Sequence, residues 1–412
     1  MSAIKHPELA PLGRKKIDWV KDFMPVLSAL EARYSAEKPL SGLRAAVSVH
    51  MEAKTAYLCE VLRACGAEVH GTGCNPLSTK DEIVAALDAE GIDVYGWFDA
   101  TEAEYREHIA AALSCRPHIL IDDGGDFVSL LHGEHPEYAE NLIGGCEETT
   151  TGIHRLKARA AAGKLDFPMI AVNDADSKHL FDNHHGTGQS TWDAIMYTTN
   201  VMLSGATVVV AGYGNCGSGI AKRAAGLGAH VIVTEVNPHR ALRAAMDGFR
   251  VMKMDDAAAE GDFFVTATGC KDVITRRHFE KMKDGAIVAN SGHFNVEYNL
   301  DDLSALAVRV EERRPFIKGY YMADGRVINS LADGRLVNIT AGNGHPADIM
   351  DMSFALQLEC LIYLAKHGKE LAPGLYDVPE ELDREIASIK AQAMGLGVDT
   401  LTKEQEQYLH SM

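Results

Sequence analysis

The chain has 412 residues, 46% of them hydrophobic and 24% charged, with 37 glycines and 13 prolines; this is an ordinary globular composition, long enough for two or three domains. A net charge of −18 argues against a nucleic-acid partner, because phosphate binding draws on clustered Lys and Arg. No apolar run of the roughly 18 residues a membrane span needs is present, and the amino-terminal MSAIKHPELAPLGRKKIDWV lacks the apolar segment of a signal peptide. The eight cysteines form no CxxC pair, so reduced thiols in a soluble cytoplasmic protein are expected.

Short β-rich runs alternate with helical patterns. In chain order the predicted strands are RAAVSV (44–49), AEVHGT (67–72), IDVYGW (92–97), HILID (118–122), MIAV (169–172), TVVVAG (207–212), HVIVTE (230–235), DFFVTA (262–267) and AIVAN (286–290). Amphipathic stretches such as KTAYLCEVLRAC and SGIAKRAAGLG separate them, a pattern that reads as parallel α/β architecture. The series is long for one sheet and is interrupted over 173–206, so two doubly wound, Rossmann-like domains are predicted. After about residue 346 the pattern becomes helical: PADIMDMSFALQLECLIYLAKHG can return the chain to the first domain, and DVPEELDREIASIKAQAMGL reads as an appendage or an oligomer contact.

Gly212, Gly214 and Gly217 fit G-x-G-x-x-G between an apolar strand and a helix, where a tight turn lets backbone approach a pyrophosphate at a helix amino terminus. Glu235 closes the next strand at the distance where a carboxylate accepts from ribose hydroxyls, favouring NAD over NADP. In an open parallel sheet, ligands bind beyond the carboxyl ends of strands. Those ends carry His50, the acids Asp122, Asp123 and Asp126 of DDGGD, then Lys178, Asp182 and Asn183 of SKHLFDN, and His293 of SGHFN. EETTTG adds Glu148 ahead of Thr149, Thr150 and Thr151 at a helix start, where hydroxyls and free amides can hold more of a cofactor. Taken singly, each has a plain structural reading as a capped loop, a solvated turn or a chance ion pair. Their shared position at strand ends makes an acid–base site beside NAD the better account.

HMEAKTA, CNPLSTKD, DDGGD, EETTTG, SKHLFDN, AGYGNCGSG, VTEVNP, GHFNVE and GRLVN…GHP, in this order, resemble the S-adenosylhomocysteine hydrolase family from near residue 40 to near the carboxyl terminus. The resemblance implies a substrate domain of residues 1–183 and 347–375, an inserted NAD domain of 184–346, a small helical oligomerisation segment of 376–412, and a homotetramer. It implies that bound NAD oxidises the ribose 3′ carbon, that C4′ then loses a proton, that homocysteine leaves C5′, that water adds, and that the hydride returns. By resemblance Lys178 is the base at the 3′ hydroxyl, paired with Asp182 and near Asn183, its pKa depressed by burial beside the nicotinamide. Asp123 takes the C4′ proton, His50 and His293 flank C5′, and Glu148 accepts from the ribose. Family cofactor contacts fall on Thr149–Thr151, Asn183, Gly212, Gly214, Asn215, Cys216, Gly217, Glu235, Thr268, Ser291, Gly292, His293, Asn338 and His345; substrate contacts also include Asn343 and His345.

Departures bear on the expectation. Thr187 stands where the family often has cysteine, Ser218 where many members have lysine, and LTKEQEQYLHSM lacks the usual Lys- and Tyr-bearing tail, as in short archaeal and thermophilic-bacterial forms. At the base edge, where many members read HMT-x-E, this chain has Glu52 and Lys54. Depending on which faces position 6, they match hypoxanthine or adenine, or they pair with each other; S-inosylhomocysteine is therefore the alternative substrate. A 2-hydroxy-acid dehydrogenase shares the two-domain plan but needs a substrate-facing Arg and a Glu–His pair. A non-catalytic NAD-binding regulator fits poorly with Lys178, Asp123, Asp182 and both histidines in place.

Overall fold

A computed structural model describes residues 2–411. Its strands are β1 (Arg44–Ser48), β2 (Glu68–Thr72), β3 (Asp93–Tyr95), β4 (Ile119–Asp122), β5 (Gly144–Glu147), β6 (Pro168–Ala171), β7 (Thr207–Ala211), β8 (His230–Thr234), β9 (Arg250–Val251), β10 (Phe263–Thr266), β11 (Ile287–Asn290), β12 (Ala307–Arg314), β13 (Ile317–Met322), β14 (Val327–Leu331) and β15 (Gly374–Asp377). They form two sheets. The first, in the order β15-β6-β5-β4-β1-β2-β3, is parallel throughout. The second, β12-β13-β14-β11-β10-β7-β8-β9, is parallel apart from β13, which runs antiparallel to β12 and β14. Central strands such as ILID and FFVT are buried along their whole length, as expected of sheets covered by helices on both faces.

All nine predicted strands are present, with ends differing by one or two residues. Six others escaped the pattern. β5 reads GGCE, without β-branched residues, and β12 reads AVRVEERR, whose charges suit an exposed edge. β13 and β14 complete that antiparallel edge, β9 is only two residues long, and β15 extends the first sheet.

The helix Ala347–His367 carries the chain from the second sheet back to the first, where Phe354, Leu358 and Leu361 share a core with Val47, Ile121 and Ile170. β15 then pairs with β6, so a division at 375/376 cuts through a strand. The helix Glu380–Ala393 is no loose appendage. Ile386 is fully buried, Lys390 Nζ lies 3.0 Å from Asp351 Oδ2, and the Asp383 carboxylate accepts from the amides of Asp176 and Ser177 at 2.8 and 2.9 Å. That last contact ties the carboxyl-terminal segment to the turn that carries Lys178. Among the described residues no helix is long and apolar enough to cross a membrane.

Candidate active site

The carboxyl ends of both sheets enclose one cavity of about 990 Å³. Every site residue expected from the sequence lines it, apart from Asn343, Gly217 and the acids Asp122 and Asp126, which instead accept from the Val128 amide and the Tyr105 hydroxyl. Asn343 instead offers its backbone carbonyl to Lys54 Nζ at 3.0 Å. Gly217 stands behind the cradle, where an added Cβ would lie 2.0 Å from the carbonyl oxygen of Gly212.

Lys178 begins an unusual turn. Residues His179–Gly186 form a π-helix, whose wider winding brings residues four and five positions ahead toward the same side chain. Lys178 Nζ is thus held by Asp182 Oδ2 at 2.5 Å and Asn183 Oδ1 at 2.8 Å, with Glu148 Oε1 at 3.6 Å. Asn173, which sequence reasoning passed over, accepts from Asn183 at 3.1 Å. Burial acts to lower the Lys178 pKa, but Asp182 and Glu148 outweigh it and hold the ammonium above its ordinary value. In the protein alone, three buried carboxylates, Asp123 included, surround the amine and outweigh the burial that was expected to depress it; the depression expected beside a bound nicotinamide belongs to the loaded site. Burial likewise opposes ionisation of Asp182, yet His345 and Lys178 hold its carboxyl below the usual range. His345 donates from Nδ1 to Asp182 Oδ1, and its Nε2 lies 3.2 Å from Thr187 Oγ1.

At the opposite end, β1 leads to His50 and β4 to Asp123. His50 Nε2 is 3.7 Å from Asp123 Oδ2, and the Cys74 thiol donates to that same oxygen at 3.2 Å. His50 Nδ1 meets Ser78 Oγ at 2.7 Å. Enclosure pushes the His50 imidazole down to about 4, against the pull of Asp123, so it is neutral at pH 7. His293 reaches over from the second sheet, its ring centroid 6.2 Å from that of His50. Its approach requires Gly124, which has φ +106° and where a Cβ would stand 2.7 Å from His293 Nε2. Cys74 and Ser78 belong to CNPLSTKD, a stretch quoted only for its resemblance.

β5 ends in a carboxyl pair. Glu147 Oε1 accepts from the amides of Gly124 and Thr149 at 2.9 and 3.0 Å, joining the DDGGD loop to the ETTT turn. Burial, reinforced by Asp122 and Asp123, raises Glu147 well above its ordinary value, and burial also pushes Asp122 up to about 7. Glu148 is pushed up to about 7 by burial despite Lys178, and accepts from Gln357 Nε2 at 2.6 Å. Gln357 is a site-supporting residue hidden in a helical apolar pattern. Where the base edge was expected, Lys54 Nζ pairs with Glu52 Oε2 at 2.9 Å, and both side chains face the cavity.

The other half of the cavity fits a dinucleotide. Gly212 has φ +95°, Gly214 caps the helix Asn215–Gly226, and the first amides of that helix open on the cavity. Glu235 is braced by the amides of Tyr213, Val236 and Asn237 at 2.7 to 2.8 Å. Asn338 donates to Ser190 Oγ at 3.0 Å, while its buried Oδ1 has no partner and is free to accept from an amide. Glu297, not anticipated, holds the Thr268 and Gly269 amides at 2.8 Å. Ser291 Oγ is engaged by Thr191 at 2.7 Å.

Residues 2–140 match the family model described as S-adenosyl-L-homocysteine hydrolase, and residues 183–344 match the model of that family's NAD-binding domain. The S-inosyl-L-homocysteine hydrolase of Methanopyrus kandleri is 53% identical over 410 residues, covering 99% of this chain and 97% of that protein. The adenosylhomocysteinase of Pyrococcus abyssi is 53% identical over 408 residues, with 99% and 97% covered. That of Thermotoga maritima is 51% identical over 399 residues, with 97% and 99% covered. With its cradle, its strand-end acids and bases and near-complete coverage of such relatives, the chain belongs to the S-adenosyl-L-homocysteine hydrolase family and carries that family's NAD-binding domain.

Proposed function

We propose that the chain catalyses reversible hydrolysis of S-adenosyl-L-homocysteine to adenosine and L-homocysteine. The observation that carries this reading is the single cavity in which the Lys178–Asp182–Asn183 cluster, Asp123 and two histidines face a dinucleotide cradle. A bound NAD would supply reversible hydride acceptance at the ribose 3′ carbon, leaving no net redox change. Gly212, Gly214, Asn215, Glu235, Thr268 and Asn338 are the residues that would hold it, with Thr149–Thr151 on the facing side.

Lys178 takes the proton of the 3′ hydroxyl. Because its carboxylate neighbours favour the ammonium, it must first lose its own proton before it can act as that base. Asp182, held ionised by His345, keeps the amine in place. The 3′ ketone acidifies C4′–H, and Asp123 accepts that proton. The histidine pair gives a proton to the sulfur as it departs, and His50, neutral at pH 7, lies where the water that next adds at C5′ can restore that proton to the pair. Protein as isolated, given adenosine and homocysteine without added NAD, is expected to form the thioether. No product with cofactor demonstrably present would overturn the reading.

The Glu52–Lys54 pair admits a second reading. Side by side, a carboxylate and an ammonium offer an acceptor and a donor, the complement of either the N1–H and O6 of hypoxanthine or the 6-amino group and N1 of adenine. Relatives at similar identity carry both names. S-inosyl-L-homocysteine is therefore the alternative substrate, and the ratio of kcat/KM for the two thioethers decides. Eight unbridged cysteines accord with a reducing cytoplasmic setting, and a homotetramer is the assembly proposed.

A further inference from the structure

Cys74 is a buried thiol to which the proposed reaction gives no role, yet its sulfur lies 3.2 Å from Asp123 Oδ2. His50 brings a third ligand atom, so that one atom each of His50, Cys74 and Asp123 lie within 4.8 Å of one another. The three come from the loops after β1, β2 and β4, which the parallel sheet places side by side.

Ser78 Oγ has one proton and two acceptors in reach, the Asn75 carbonyl at 2.9 Å and His50 Nδ1 at 2.7 Å. In the tautomer where the carbonyl takes it, His50 is protonated on Nδ1 and turns the Nε2 lone pair toward the Asp123 oxygen 3.7 Å away, to which the Cys74 thiol also donates. Imidazole nitrogen, carboxylate oxygen and thiol sulfur then lie together as three ligand atoms.

We propose that Cys74, Asp123 and His50 form a site for a thiophilic divalent cation of the zinc class, with an open fourth position toward the cavity, and that occupancy inhibits the enzyme. Imidazole nitrogen, thiolate and carboxylate are zinc's ordinary ligands, with bonds of about 2.0–2.3 Å, so the observed spacing needs only small side-chain movements. Ser78 supplies the outer hydrogen bond that orients a ligating imidazole. Binding converts the thiol to a thiolate and releases one proton to solvent per ion. The site itself rests on geometry; its inhibitory consequence rests on the proposed roles of Asp123 and His50.

Holoenzyme stripped of metal with a chelator is titrated with Cd²⁺ while the thiolate-to-cadmium absorption is followed, and Zn²⁺ affinity is measured by calorimetry. The band is expected to saturate at one ion per chain, to vanish in Cys74→Ser and to persist in Cys270→Ser, the exposed cysteine serving as control. Zn²⁺ affinity is expected to fall on the order of 100-fold or more in Cys74→Ser and about tenfold in Ser78→Ala, which keeps the thiol. Adenosine in excess is expected to weaken the metal. An undiminished band in Cys74→Ser, unchanged affinity in both variants, or indifference to adenosine would each overturn the site. An ion bound through Cys74 that leaves turnover intact would keep the site and refute the assignment of His50 and Asp123 to the chemistry.

Discussion

Lys178 is surrounded by Asp182, Asn183 and Glu148 and is itself buried, so its removal leaves carboxylates facing one another. Lys178→Ala should retain NAD yet reduce it about 10²–10⁴ times more slowly when adenosine is supplied, the usual loss of a positioned base. Reduced-nicotinamide absorbance reads this directly, and full-rate reduction would exclude Lys178 from the oxidation. Glu147 allows a different test, because its protonated form is favoured only in the folded chain. A group with its folded pKa raised stabilises most below its unfolded value and loses that contribution as pH climbs toward the folded one. The Glu147 contribution to stability should therefore fall above about pH 4.5, by up to about 1.4 kcal/mol per pH unit. Glu147→Gln keeps an acceptor for the Gly124 and Thr149 amides and cannot ionise. Its stability relative to wild type should rise with pH across that window, and a pH-independent difference in denaturant midpoints would refute the argument. Lys178, Asp123 and Glu148 were legible because strand ends are readable from periodicity. Cys74, Asn173, Gln357 and Glu297 were not, since each acts by touching a residue distant in the chain, and no local pattern records such a contact.

At the scale of elements, the cradle and the lysine turn were unequally visible. A glycine-rich strand-to-helix turn has a fixed spacing, so Gly212, Gly214 and Gly217 could be read directly, but for different reasons. A Cβ at Gly217 would stand 2.0 Å from the Gly212 carbonyl, whereas at Gly214 it meets only Arg240 Nη1 at 3.9 Å. Gly217→Ala should therefore strain the fold, costing about 1–3 kcal/mol, and lose NAD as a consequence. Gly214→Ala should keep its melting temperature and lose NAD only through the closer approach denied to the pyrophosphate. Melting curves paired with cofactor content separate the two, and equal thermal losses would show that the cradle is a single structural unit. The π-helix after Lys178 left no sequence signal, because SKHLFDN has the composition of any polar turn. The edge hairpin of β12 and β13 was missed for the opposite reason: its alternation is buried under charge, as in Arg309, Glu311 and Arg313.

For the whole molecule, the two sheets explain why a dinucleotide cradle lies mid-chain: the chain leaves the first sheet after β6, builds the second, and returns through Ala347–His367 to add β15. This plan puts the carboxyl ends of both sheets around one cavity, and the return helix brings Gln357 to Glu148. The segment after Ala393 does not share in that economy. Met394, Val398, Tyr408 and Leu409 are 62, 73, 79 and 64% exposed, and the helix Lys403–His410 buries no residue. Eight residues make too short a helix to persist alone in water, even with the capping box of Thr402 and Gln405, so this one needs a surface to lie on. In the proposed homotetramer that surface belongs to another copy of the chain. Replacing Tyr408 and Leu409 together by Asp puts two charges into such a contact at side chains that are mostly exposed in the protomer. The variant should keep its secondary structure and its NAD while sedimenting as a smaller species. A tetramer that withstands both charges would place the assembly contacts elsewhere and leave this helix without a role in them.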